Sequence, residues 1–265
     1  MVNWVDKGES SRLARTVVVL ALACVAGMVN ATGFFAVGTY TSHVTGHASM
    51  VGDELARGNV EAAAHYLMLV LFFVAGAFLA TLFVESARRF GRARYVAALL
   101  VEAFILTAFT LVSALVEDKS ETVWRVLTAM LSISMGLQNA LVTRISGAVV
   151  RTTHLTGVAT DIGIELARLT YWLRRNARLL SPLQTVIGFA REEELRRLRL
   201  HLLLFLSFLA GAIVGPFLYL WIDHGAMLFP GSILFGLVLL DRFGWNRALS
   251  TGPMVEGEAW ASERT

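Results

Sequence analysis

His43 and His47 stand four residues apart, a spacing that places two imidazoles on one face of a helix, and His154 repeats the setting of His43 later in the chain. With Asp161 these groups could be drawn as a metal site. However, the counterpart of His47 in the second setting is Val158, and no His-Glu-x-x-His sequence occurs. No metal and no other cofactor is expected, and capping or pH sensing suits the histidines better. A second kind of chemistry rests on backbone. Thr45-Gly46 and Thr156-Gly157 read as helix entries, where a hydroxyl caps the first amides and the N–H groups and dipole of the helix end favour an anion. The third candidate is Glu102, a carboxylate inside an apolar run, the setting of proton and ion pathways. Its competing reading is interfacial, reaching the headgroups or pairing with Arg92 or Arg94. Asn30 and Asn139 also lie in apolar runs, each one turn after a glycine, Gly27 or Gly136, that permits close helix contact. They serve either as interhelical hydrogen bonds or as solute contacts. No phosphate-binding Gly-x-x-x-x-Gly-Lys loop and no Gly-x-Ser-x-Gly elbow is present.

These residues belong to a phrase that the chain contains twice. His43 to Arg57 reads HVTGHASMVGDELAR and His154 to Arg168 reads HLTGVATDIGIELAR, with nine of fifteen positions identical. About one match would arise by chance from average usage. Each copy follows a Gly-x-x-Asn-Ala pattern, Gly27 to Ala31 and Gly136 to Ala140. The chain is therefore internally duplicated.

The elements that carry the phrase belong in a bilayer. Of 265 residues 56% are hydrophobic and 16% charged, against about 25% charged in a soluble domain, and the mean hydropathy is +0.63. Cys24 is the sole cysteine, so no disulfide forms within one chain. The basic residues gather in connecting segments without interleaved aromatic residues, which argues against nucleic acid as a partner. Apolar runs predict six spans: residues 16–38, 65–84, 95–116, 126–142, 200–222 and 225–240. The first run is longer than the apolar core of a signal peptide and is read as a retained helix. Pro216 and Pro230 are expected to kink the last two spans. Residues 171–199, rich in arginine with apolar residues between, read as an amphipathic interfacial segment, and 241–265 as a flexible tail.

Arginine and lysine concentrate before the first span, at 88–94, at 144–199 and at the start of the tail. Six spans with both termini in the cytoplasm satisfy every segment. Each repeat then holds three spans, residues 16–116 and 122–240, and an odd number makes the duplication inverted.

The paired motifs resemble the YoaK-like family of bacterial inner-membrane proteins of unknown function. The resemblance covers about Val17 to Leu240. It rests on Gly27 to Gly33 with Ser42-His43-Val44-Thr45-Gly46, and on Met135 to Ala140 with Thr152-Thr153-His154-Leu155-Thr156-Gly157. The family pattern has an aspartate where this chain has Asn30 and an asparagine where it has His47. The resemblance implies a membrane location and no particular activity.

The sequence thus reads as a single all-α integral membrane domain: six transmembrane helices in two inverted three-helix repeats, with broken or re-entrant helices at the His-x-Thr-Gly motifs. The expected function is a secondary transporter or permease of the inner membrane for a small, anionic solute. Asn30, His43, Thr45, Gly46, Asn139, His154, Thr156 and Gly157 would contact the solute, and Glu102 would carry a proton. The alternatives are a metal-dependent membrane enzyme and a non-transporting scaffold. The partners expected are the lipid bilayer and the solute, with homo-oligomerisation left open.

Overall fold

The computed structural model describes residues 4–89, 95–116, 120–146, 155–176 and 193–242, and every regular element among them is helical. In chain order these are α1 (Trp4–Val37), α2 (Val44–Ala56), α3 (Val60–Arg89), α4 (Val96–Leu115), α5 (Glu121–Ile145), α6 (Leu155–Asn176), α7 (Glu193–Ile222), a 3₁₀ turn (Asp223–Met227) and α8 (Leu228–Arg242). Among the described residues five stretches are long and apolar enough to cross a membrane: Ala14–Val37, Val60–Ala87, Val96–Leu115, Glu121–Ile145 and Glu193–Asp241. A bilayer offers the backbone no water, and helices satisfy their own amides and carbonyls, so such stretches fold as helices. The protein is an all-α, multi-pass membrane protein.

The chain divides into two compact units, Met1–Thr153 with Phe208–Thr265, and His154–Ser207. In the first unit, directions follow from paired residues. Glu61 meets Arg125 at one end of α3 and α5, and Glu85 meets Arg144 at 2.9 Å at the other. Between them a Cβ on Gly76 would overlap the Ile133 carbonyl oxygen, and one on Gly136 the Phe73 carbonyl oxygen. These two helices run the same way with their backbones touching. The same close approach joins α1 to α7 from Phe208 onward: Gly27 lies against the Phe208 carbonyl, Gly211 against that of Cys24, and Gly215 against Met28 and Thr32. These two also run in parallel.

The remaining neighbours are antiparallel. Gln138 Nε2 of α5 donates to the Leu22 carbonyl of α1 at 3.0 Å, while Leu131, a turn or two earlier, lies beside Gly33. Tyr95 at the start of α4 donates to the Arg144 carbonyl near the end of α5 at 3.4 Å. Thr110 of α4 donates to the His224 carbonyl at 3.3 Å, while Gly231 faces Ala103 and Leu106. Together these relations make α8 antiparallel to α7. From Phe208 to Asp241 the chain is thus a helical hairpin, reversed at a 3₁₀ turn in which Asp223 adopts φ +51°. Pro230 is the third residue of α8, in the first turn, where its missing N–H has no helical partner to lose, so the expected mid-helix kink does not apply to it. Pro216 lies inside α7, which continues through it to Ile222.

Neither motif copy interrupts a spanning helix. The first forms α2, thirteen residues long, and the second opens α6, which runs on through Tyr171. The charges Asp53, Glu54 and Arg57, or Asp161, Glu165 and Arg168, make both segments too polar to be spans of their own. Residues 177–192 of the expected interfacial segment and the tail beyond Arg242 lie outside the described residues, and Glu193 to Arg199 begin α7.

Candidate solute-binding site

The first motif copy is held by the end of α1. Asn30 Oδ1 accepts hydrogen bonds from Ser42 Oγ at 2.8 Å and Ser42 N at 3.3 Å, tying the turn before α2 back to the helix it leaves. His43 is the N-cap of α2 but makes no side-chain capping bond, and Thr45 stands one residue inside the helix. The expected capping by the Thr45 hydroxyl is therefore absent: a residue already in helical conformation points its side chain away from the free amides. Gly46 has another reason to be glycine. A Cβ there would strike the His43 imidazole, which lies against the first turn. His47 Nε2 donates to the Tyr40 carbonyl at 3.0 Å, and its ring stacks on Tyr66 of α3 with centroids 5.8 Å apart. The His47 side chain is buried, and that burial holds its imidazole below the usual pKa, with the neighbouring His43 and His65 adding a smaller effect in the same direction and the Tyr40 bond opposing it. The His43 and His47 rings are 6.5 Å apart, and among the described residues no group of three His, Cys, Asp or Glu side chains is placed to hold a metal ion.

Tyr66 also lines a cavity of about 420 Å³ between the first turns of α3 and α5, with Glu61, His65, Glu121, Trp124 and Arg125. Arg125 donates through Nε to Glu121 at 3.1 Å and through Nη2 to both Glu61 and Glu121. Sequence reading missed this site. Its signal was available as Glu121 and Arg125 four apart at the head of an apolar run, the spacing of an i, i+4 ion pair.

Glu102 lies in the packed interior of the same unit. It is 0% exposed, and neither carboxyl oxygen has a hydrogen-bond partner among the described residues. That position contradicts the interfacial reading in which it reaches the headgroups, while Arg92 and Arg94 lie outside the described residues. Helix direction places Gln138 near the same level: counted from the Tyr95–Arg144 bond, Glu102 is seven residues along α4 and Gln138 six residues back along α5, about 10 and 9 Å. Gln138 Oε1 and the hydroxyls of Ser132 and Ser134 are likewise buried without partners. Asn139, one residue on, is half-buried in α5, and its carbonyl accepts from Thr143 Oγ1 at 2.7 Å.

In the second unit, Thr156 and Gly157 occupy the first turn of α6, and His154 lies outside the described residues. The motif's glutamate behaves differently here. In the first copy Glu54 pairs with Arg57 at 2.8 Å, whereas Glu165 is buried against His201 of α7, whose Nδ1 is 3.0 Å from Oε1 and 3.1 Å from Oε2. Arg168, the counterpart of Arg57, instead lines a cleft with Trp172, Arg175 and Glu194.

Residues 18–240 match the family described as "Protein of unknown function (DUF1275)". The chain belongs to this family. The match takes in both motif copies, Glu102, the whole of three of the five stretches able to cross a membrane and all but the outer ends of the first and last. Among curated relatives is the UPF0700 transmembrane protein YoaK of Bacillus subtilis (strain 168), 24% identical over 226 residues, which are 84% of this chain and 92% of the relative. That name agrees with the membrane reading and states no activity. No solved structure matches this DUF1275 chain.

Proposed function

We propose that this DUF1275 protein is a secondary transporter or permease of the bacterial inner membrane, built from two inverted repeats that cross the bilayer six times with both termini in the cytoplasm. One observation carries the reading: the repeats exchange partners. An operation that maps α1 onto α5 and α3 onto α7 also maps the α1–α7 crossing onto the α5–α3 crossing, and glycines of the duplicated pattern, Gly27 and Gly136, stand at both. Helices of an inverted pair that pack across the repeats must point the same way, as α1 and α7 do and as α3 and α5 do. Exchanged, inverted repeats are the frame on which secondary transporters alternate access. In this reading the first turns of α2 and α6, with Thr45, Gly46, Thr156 and Gly157, receive the solute in their respective units. Neither turn carries an acidic residue to compete with a negatively charged group. Asn30 and Ser42 position the first of them.

Glu102 is the proton carrier. A carboxylate with no partner in a lipid-embedded core is costly when charged, and taking up a proton relieves that cost. The test begins with a thermal-shift screen of small organic acids, inorganic anions and neutral metabolites on detergent-purified protein, followed by uptake of a stabilising solute into proteoliposomes under a pH gradient. Glu102→Gln should retain stabilisation by the solute and lose the pH dependence of uptake. Unchanged pH dependence would make Glu102 structural, and the failure of every solute to stabilise the protein would favour a scaffold.

A further inference from the structure

We propose that the cavity between the first turns of α3 and α5 binds a small organic cation bearing an ammonium group. Three charged side chains line it, the carboxylates of Glu61 and Glu121 and the guanidinium of Arg125. One guanidinium against two carboxylates leaves a single negative charge in excess. Arg125 is already engaged by both partners through Nε and Nη2, while the two glutamates are each 74% exposed on their side chains, and a carboxylate has acceptor capacity beyond one such pair. An entering anion meets carboxylates on both sides of a guanidinium that is already paired. An entering ammonium meets two acceptors of opposite charge.

The walls suit an organic cation better than a bare ion. Aromatic Tyr66 and Trp124 and apolar Val37 and Ala62 are among the residues that line it, so an alkyl or aromatic body has apolar contacts to make beside the carboxylates. The volume, about 420 Å³, falls in the range of small-molecule sites, about 300–1,000 Å³. The walls are also fixed from behind. The Tyr66 ring stacks on the buried His47, and the Glu61–Arg125 pair joins the two helices that form the mouth. Binding here is independent of transport: it requires only the folded chain, and its failure would leave the inverted-repeat reading untouched.

Three molecules of nearly the same shape separate charge from size: phenethylammonium, 3-phenylpropionate and 2-phenylethanol. Titrated calorimetrically into the full-length protein in detergent, phenethylammonium should bind at least tenfold tighter than the other two. The Glu61→Gln, Glu121→Gln double variant should weaken it at least tenfold. Arg125→Gln removes the one cation and should tighten it severalfold, an opposite shift that a merely damaged fold does not produce. If phenethylammonium fails to bind the unmodified protein, if 3-phenylpropionate binds as well, or if Arg125→Gln weakens binding, the assignment is overturned. The comparison of the three molecules on the unmodified protein decides the matter even where a variant does not fold.

Discussion

His47 sits 4% exposed between the Tyr40 carbonyl and the Tyr66 ring, an environment that suits a neutral imidazole donating through Nε2. Burial lowers its folded-state pKa below the unfolded value of about 6.5. Above that value both states are neutral and the contact is intact. As pH falls below about 6.5 the unfolded chain takes up a proton first, so stability declines until the folded pKa is passed and then levels off. Thermal unfolding followed from pH 7.5 downward should show this loss, and His47→Asn, which cannot titrate, should flatten that part of the profile. An identical slope in the variant would assign the loss to other groups. The pairing of the histidines with Thr-Gly was legible in the sequence, as was a polar role for Asn30. The partner of Asn30 was not, because its bond to Ser42 depends on how the chain turns back after Gly38, whose φ is +71°. Glu102 was legible as a carboxylate in an apolar run, but its burial depends on which neighbours cover α4.

At the scale of helices, the two close crossings explain why glycine stands at Gly27 and Gly136. Without a hydrophobic force between helices in lipid, association depends on van der Waals contact and interhelical hydrogen bonds, and small residues let backbones approach. A side chain at Gly136 would meet a carbonyl oxygen fixed in the facing helix, which cannot rotate away as the His43 ring can from Gly46. Gly136→Ala should therefore destabilise the protein by about 1–3 kcal/mol, the usual cost of overpacking, while Gly52→Ala, with nothing near it, should be neutral or stabilising through helix propensity. Unfolding in mixed detergent measures both, and equal effects would mean that the α3–α5 crossing is looser than described. Sequence reading placed the glycines on the same face as Asn30 and Asn139, one turn before each, but could not say which helix they meet. Partner choice is a tertiary property that no local periodicity records. The motif segments show the opposite case: Asp53, Glu54 and Arg57 signalled a short polar helix, and α2 is one.

For the whole molecule, the duplication, the helical class and the membrane setting were legible because they rest on long apolar runs and a repeated phrase. The two compact units are a matter of tertiary contacts, which no apolar run or repeated phrase records. The proposed function turns on the chain reversing between α7 and α8, which would give the second repeat three crossings and make it the inverse of the first. Asp53 lies on α2, Asp223 in the turn between α7 and α8, and Ser86 near the far end of α3, and all three are exposed in the first unit. In a background where Cys24, the only native thiol, is replaced by alanine, each can be changed singly to cysteine. A membrane-impermeant thiol reagent applied to intact cells should label the Asp53→Cys and Asp223→Cys proteins and spare Ser86→Cys, with the preference reversed in inside-out vesicles. Labelling of Asp223→Cys from the same face as Ser86→Cys would mean that the turn does not reach the side of α2. The inverted repeat, and with it the case for alternating access, would then be wrong.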